Sequence, residues 1–364
     1  MKKVLIIVSS IVVLILIGIF ICLKIVKKET RESSKPSPST SSIVSTEGVT
    51  TVLTLDDEIT DNTIWCGTFQ LIWNDLKNDL AKQDIVFNPQ LKVVENLNKE
   101  TFTEKELSED YYYKKIGTPS LKLKEEIEKA ILNKFNEKSD ILDDFEWNDK
   151  TPEDYFLYVM LKKDFQFEKA FEELENDMFG KFDDVKYFGI KKDDSGELRQ
   201  QVDVLYYKSK DDFAIKLRTK QEDEVILCKN PQGKTFGEIY NNILNKAEKL
   251  DTYGPLREGE KLKVPNIRLK EKNEIKEIEN KIFSFSNGEK YEIEKALQTI
   301  EFELDRTGGK VKSEAGMMVE KNSIAVEDNL RDFSIDDTFA IFLIEKGKEK
   351  PYFAGKINDI TKFQ

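Results

Sequence analysis

Histidine is absent from all 364 residues. That removes the usual general base for a Ser or Cys nucleophile and the commonest zinc ligand. Only carboxylate or lysine chemistry remains, so the expectation is a protein that is not an enzyme and holds no metal or cofactor. Cysteine is scarce as well. Cys22, Cys66 and Cys228 are too few and too scattered for a disulfide framework. They read as buried free thiols, which pack as small hydrophobes; a Cys66–Cys228 disulfide stays open, because spacing does not supply its geometry. Positive charge has no excess or clustering. The 57 basic residues are dispersed among 69 acidic ones, for a formal net charge of −12. Phosphate binding needs clustered Lys and Arg, so nucleic acid is not an expected partner. The acidic cluster Asp143, Asp144, Glu146 and Asp149 lacks the loop glycine and ligand spacing of a calcium site and reads as solvated surface. Gly308-Gly309 is isolated and does not have the spacing of a phosphate-binding loop.

One long hydrophobic run is present, Val4 to Leu23, and about 20 apolar residues span a bilayer core. No small-residue cleavage site follows it at Ile21-Cys22-Leu23-Lys24. Phe20 and Ile21 also stand where lipid attachment at Cys22 would want small residues. Residues 1–28 therefore read as an uncleaved, single-pass transmembrane anchor. Lys2 and Lys3 precede the span, while Lys24, Lys27, Lys28 and Arg31 follow it, so charge does not fix its orientation. Residues 29–54 are rich in Ser, Thr and Pro, the composition of an unstructured stalk. A stalk favours placing residues 55–364, the folded domain, outside the cell, with the opposite orientation left open.

Within that domain, Asp61, Asn62 and Thr63 are N-cap candidates. Trp65, Phe69, Ile72, Trp73, Leu76 and Leu80 then recur at spacings of three and four, which predicts an amphipathic helix with both tryptophans on its core face. Asp84 to Pro89 predicts an apolar strand stopped by proline. Leu91 to Asp149 is charged and mostly helical in pattern. Leu157 to Phe171 reads as an apolar strand, a charged turn and two aromatics, Phe167 and Phe171, able to plug the bottom of a sheet. Val202 to Leu217 alternates around a polar turn and predicts a hairpin. Ile300, Phe302 and Leu304 alternate with Glu301, Glu303 and Asp305, a half-buried strand that ends near Asp305. Phe339 to Ile357 is a second hairpin around the turn Glu345 to Lys350, its first strand apolar on both faces. About two dozen residues without a continuous apolar stripe separate the Thr307–Gly309 turn from Phe333, which is longer than an ordinary loop.

The terminal hairpin resembles the C-terminal signature of the serpin family: a Phe-led buried strand, a polar turn, then Phe-x-Gly-Lys, with Phe339, Phe353, Gly355 and Lys356 in those places. The resemblance extends upstream. Phe167 and Phe171 stand at the Trp and final Phe of Lys-Gly-x-Trp-x-x-x-Phe. Val202 to Leu217 is similar to a strand-turn-strand unit of the family's second sheet, and Val264 to Leu269 to a Pro-containing strand. The resemblance implies an α+β fold with a mixed central β-sheet, additional sheets, surrounding helices and an exposed reactive-centre loop near the C-terminus. It departs from the pattern at Asn88 and Leu91, which replace serines that let the central sheet open.

The resemblance also implies a mechanism. A protease attacks the loop and forms its acyl-enzyme. The cut loop then inserts as a new central strand, dragging the protease across the molecule. An inserting strand must alternate. Ser313, Ala315, Met317 and Val319 fall on one face, and Glu314, Gly316, Met318 and Glu320 on the other. Lys310 and Lys312 crowd a hinge where the family prefers glycine followed by small residues. Lys321 falls on the buried side. The family's usual spacing from Phe339 sets the scissile bond near Ala325, Val326 and Glu327, where a Val or Ala before the cut suits an elastase-like or subtilisin-like protease. The expected protein is a monomeric, membrane-tethered inhibitor of an extracellular serine or cysteine protease. Two alternatives stay open: a non-inhibitory serpin-fold binding or scaffold protein at the cell surface, and an unrelated α+β extracellular sensor domain whose hairpin matches by chance.

Overall fold

The C-terminal hairpin is the middle of the largest sheet. In the computed structural model, which describes residues 48–191, 196–221, 223–250, 254–309 and 330–364, Phe339–Glu345 is buried at all seven positions. It pairs with Phe353–Ile357 on one side and Asp223–Lys229 on the other, Phe339 facing both Ile357 and Lys229. A strand flanked by two others and covered on both faces has no polar side, which is why its sequence is a continuous apolar run. The sheet has eight strands. Thr50–Thr51 and Thr63–Cys66 complete it beyond Phe353–Ile357, while Asp212–Arg218, Val202–Ser209 and Gly254–Pro255 extend the other side. The expected hairpin from Val202 to Leu217 is there, Val202 facing Leu217. A four-stranded sheet of Asp332–Ser334, Lys261–Pro265, Tyr187–Ile190 and Glu172–Glu173 adjoins it. Phe167 and Phe171 are buried together, ring centres 4.8 Å apart, with Phe188 against both.

Three local expectations need correction. Trp65 lies in the strand Thr63–Cys66, and the helix α1 runs over Thr68–Asp75 before widening into a π-type turn, Leu76–Ala81. Gly67 makes the join because a Cβ there would meet the Phe102 ring at 2.3 Å. Both tryptophans are core residues, but in different clusters: Trp65 beside Phe102, Trp73 beside Ile85 and Phe87. The segment Asp84 to Pro89 is not a strand. Ile85 and Phe87 are buried and Val86 is exposed, yet side-chain amides replace a sheet partner. Asn98 brackets Ile85, and Gln90 accepts from the Phe87 N–H at 2.8 Å. Residues 48–54, assigned by composition to the stalk, belong to the folded part: Val49, Val52 and Leu53 are buried, and Thr50 pairs with Thr63. Residues 1–47, with the expected anchor and the rest of the expected stalk, lie outside the described residues. Among the described residues no helix is long and apolar enough to cross a membrane.

Of the two-stranded pairings that remain, two ribbons frame the site. The first pairs Tyr112–Gly117 (β1) with Phe156–Leu161 (β2), Tyr112 facing Leu161. The strand β1 breaks up the stretch expected to be mostly helical. Between them lies the helix α2, Leu121–Phe135, capped by Ser120 Oγ accepting from the Leu123 N–H at 3.2 Å. Its buried residues Leu123, Ile127 and Ile131 pack with Trp147, Phe156 and Tyr158. Just past β2 comes Phe165–Gln166 (β3). The second ribbon pairs Ile267–Glu274 (β4) with Leu297–Leu304 (β5), Ile267 facing Leu304. As expected from its alternation, β5 buries Gln298, Ile300, Phe302 and Leu304 and leaves Glu301 exposed. A two-residue strand, Gly308–Gly309 (β6), follows it.

Candidate functional site

Among the described residues β2 pairs only with β1, and β5 only with β4. Between them lies a cavity of about 670 Å³, lined by every residue of β2 and by residues 297–303 of β5. Consecutive lining residues identify strand edges, since one face of a strand would present only alternate residues. Two edges thus confront one another across a slot. Each carries a row of N–H and C=O groups that a strand lying between them would pair.

The slot has a floor and a roof. Its floor is the apolar stripe of α1, Phe69, Ile72 and Trp73, continued by Leu76, the helical spacing recognised in the sequence. Its roof is a strap, residues 136–155, that connects α2 to β2 and is tied to the far ribbon. Lys272 of β4 donates to Asp144 Oδ2 at 2.6 Å and to the Asp140 carbonyl at 3.1 Å. Lys295 donates to the Asp144 carbonyl at 2.9 Å, and Lys150 of the strap meets Glu294 at 2.5 Å. Tyr155 packs on the rings of Phe285 and Tyr291. The cluster expected to be plain solvated surface is therefore divided. Asp143 is exposed, and its hydrogen bond from Lys124 holds its carboxyl below the usual range. Asp144 helps to bridge the slot.

One end of the slot already holds a third strand. Gly308 faces Asp305 in an antiparallel bridge on one side and Gln166 on the other, and Gly309 faces Phe165. A Cβ on Gly308 would lie 2.2 Å from the Phe165 carbonyl oxygen, at a φ of +146°. On Gly309 it would lie 2.4 Å from the Phe165 ring and 2.9 Å from the Glu303 carbonyl. Only glycine fits a backbone pressed this closely between two others. Because β6 is antiparallel to both neighbours, a strand continuing it down the slot would be antiparallel to β5 and β2.

Buried charges fix the surroundings of that end. Lys163, just past β2, reaches Asp223 at 3.0 Å and Glu345 at 2.8 Å, with its Nζ 3.8 Å from the centre of the Tyr111 ring. Burial pushes Asp223 up despite Lys163 and Tyr352. Burial also acts on Glu345, but hydrogen bonds from Lys163 and Ser108 outweigh it and hold that carboxyl below its ordinary value. The described chain resumes at Leu330, and Arg331 is seated on Glu260.

The sequence-predicted insertion residues Ser313, Glu314, Ala315, Gly316, Met317, Met318 and Val319 lie outside the described residues, as do Ala325, Val326 and Glu327. Gly309, immediately before that segment, lines the slot. Gln298 was missed, although a polar residue in the buried phase of an alternating strand is a legible signal. It is 4% exposed, lines the slot, and donates through Nε2 to the Cys66 carbonyl at 3.1 Å and to Thr68 Oγ1 at 2.9 Å. Its Oε1 has no hydrogen-bond partner among the described residues.

Solved structures similar to this chain include thyroxine-binding globulin in complex with thyroxine, with a TM-score of 0.50 and 12% identity over 82% of this chain and 92% of that one. Others are Serpin48 of the insect Tenebrio molitor, at 0.46 and 11% over 82% and 92%, and mouse protein-Z dependent protease inhibitor, at 0.47 and 12% over 82% and 91%. No family model matches the chain, and no curated protein sequence matches it. The chain has an α+β serpin fold, strongly divergent in sequence. The chance-hairpin reading is thereby set aside.

Proposed function

We propose that this protein is an inhibitor of an extracellular serine or cysteine protease, acting by cleavage within residues 310–329 and insertion of the first half of that segment into the slot. One observation carries the reading: a slot between two strand edges, one end of which already contains β6, the two residues immediately before the segment. Strand insertion is main-chain pairing, and among the described residues neither edge is paired on its slot side beyond β6.

The register of β6 supports the assignment. Asp305 faces Gly308, so each step back along β5 corresponds to one step forward along the segment. Continued, that register would set Ser313 opposite Ile300 and Ala315 opposite Gln298. On the other side, Gly309 faces Phe165, and the same count would set Ser313 opposite Leu161 and Ala315 opposite Val159. Val159, Gln298 and Ile300 are buried on the core side. The set Ser313, Ala315, Met317 and Val319 would then face the core, and Glu314, Gly316 and Met318 the strap. Lys310 and Lys312 would come to the outer face opposite Glu303 and Glu301, with Lys162 beyond Lys312. Those glutamates would attract the lysines; the second reading, a non-inhibitory serpin-fold scaffold whose segment stays out of the slot, rests instead on the bulk of Lys310 and Lys312 at the hinge and on Asn88 and Leu91 in place of serines.

The apolar run Val4–Leu23 supports a single-pass tether, with the folded domain on the extracellular side as a monomer. The scissile bond is proposed at Ala325–Glu327. Incubation with an elastase-like and a subtilisin-like protease tests the function: an SDS-resistant adduct is expected, with intact mass mapping the cut between Ser323 and Leu330. Ala315→Arg would put a charge between Val159 and Gln298, so that variant is expected to be cut without forming an adduct. A nicked sample melting at the same temperature as the intact one would sink the reading.

A further inference from the structure

On its β2 side the wall of the slot is broken. β2 ends at Leu161 and β3 begins at Phe165; residues 162–164 belong to neither strand, although all of them line the slot. β6 is paired with β3. A strand growing from β6 must therefore cross the break before it meets β2. Register passes along an edge residue by residue, so the two strands serve as one template only if they are held in line.

Lys163 is the middle of the break. Val159, Leu161 and Phe165 pack into the main core, and alternation gives Lys163 the same inward phase. Its side chain is 1% exposed and ends between Asp223 and Glu345, at 3.0 and 2.8 Å. Those two residues face each other across adjacent strands of the large sheet, where like charges repel. A cation shared by both turns the repulsion into attraction. Tyr352 donates to Asp223 at 3.1 Å and the Ser108 N–H donates to Glu345 at 3.2 Å, which holds both carboxylates in place. Lys163 thus fastens the slot wall to a sheet whose strands, among the described residues, do not pair with β2.

We propose that Lys163 is a positioning residue for strand insertion: it keeps β2 in line with β3, so that a strand growing from β6 meets a continuous edge. Its side chain points into the core, away from the cleaved bond, so it acts after cleavage. Insertion competes there with hydrolysis of the acyl-enzyme, in which water adds its hydroxyl to the acyl carbon of the loop and its proton to the departing serine or cysteine of the protease. Slower insertion then yields more cut chain and less adduct.

The inference rests on the inhibitor reading, and its test separates the two. The full chain is incubated with the elastase-like and the subtilisin-like protease, and the ratio of SDS-resistant adduct to cut, adduct-free chain is measured. In Lys163→Met that ratio is expected to fall about tenfold, since a small misplacement of a reacting element has effects of that order, while the rate of loop cleavage stays unchanged. The triple variant Lys163→Met/Asp223→Asn/Glu345→Gln leaves no buried charge stranded and is expected to show the same fall, so the test does not depend on the single variant folding. Ile243→Ala opens a cavity under the helix Phe236–Leu250, at a residue that does not line the slot. It is expected to melt lower and keep the wild-type ratio. A wild-type ratio in the Lys163 variants, or an equal fall in Ile243→Ala, overturns the positioning role and leaves the inhibitor reading standing. No adduct from the wild type with either protease overturns both.

Discussion

Arg331 holds Glu260 through two parallel bonds, Nε to Oε1 at 2.6 Å and Nη2 to Oε2 at 2.9 Å, with only 1% of the Glu260 side chain exposed. The pair fixes the point where the chain rejoins the described fold after residues 310–329. Burial pushes the Glu260 carboxyl up, but the Arg331 side chain and the Arg257 N–H outweigh it and hold the group below its ordinary 4.5.

Arg331→Met would leave that carboxylate buried with its backbone bond and no cation. Urea unfolding at pH 7 is expected to show a loss of about 3 kcal/mol. The double variant Glu260→Met/Arg331→Met should lose clearly less, because no buried charge is stranded. The pH dependence has a definite sign. A depressed carboxyl contributes stability above its unfolded value, and that contribution disappears as pH falls through the lower folded value. The gap between wild type and Arg331→Met should therefore narrow below pH 4.5.

Glu277 has the opposite character. Burial and the nearby Asp57 charge both raise its carboxyl, and Oε2 has no partner among the described residues. A raised carboxyl costs stability once pH exceeds its unfolded value, and the full cost is felt above the folded one. Glu277→Gln should then raise stability by about 0.5 kcal/mol at pH 7.5, after allowance for partial solvent screening. Near pH 4 the effect should vanish. A melting series across that range checks both the size and the direction.

The parts of the fold that were legible in sequence are those whose partners are close in the chain. The Phe339–Ile357 and Val202–Leu217 hairpins and the alternation of β5 each declare themselves through local apolar spacing. The helix over Trp65 to Leu80 was overextended because residues 65, 69 and 73 have helical spacing by coincidence. Gly67 ends that continuity, for a reason visible only when Phe102, 35 positions later, is packed against it. Ile85 and Phe87 alternate like a strand, but the groups bonding them belong to Asn98 and Gln90. The slot is a pairing that two ribbons do not make, and periodicity carries no mark of it. Gln298 carried a mark, a polar residue on an apolar face.

Cys66 and Cys228 settle the sequence ambiguity as free, buried thiols. Burial pushes Cys228 up to about 11 and Cys66 upward as well. Thiolate is the reactive form, so neither should react with Ellman's reagent in the native protein at pH 8. Unfolding in guanidinium without reductant should make two further thiols reactive. A count that does not rise would mean that the pair is bonded or already oxidised.

The strap makes the last prediction. Its ties to the far ribbon include Lys272, shared by Asp144 Oδ2 and the Asp140 carbonyl, Lys270 on Asp140, Lys295 on the Asp144 carbonyl, and Lys150–Glu294 at a separate point. Lys272 and Glu294 are substantially exposed, and an exposed pair contributes about 1 kcal/mol at most. The ties can therefore hold the roof across the slot without locking it. Lys272→Glu would place a carboxylate beside Asp144, turning attraction into repulsion. Hydrogen exchange at the ribbon-bonded amides of β2 and β5 should then accelerate about fivefold, equivalent to about 1 kcal/mol less protection. Raising NaCl to about 0.5 M should produce a smaller acceleration in the wild type through screening and little further change in the variant. If exchange in β2 and β5 is indifferent to both, the strap rests on the slot without restraining it, and resistance to an incoming strand must then come from the edges themselves.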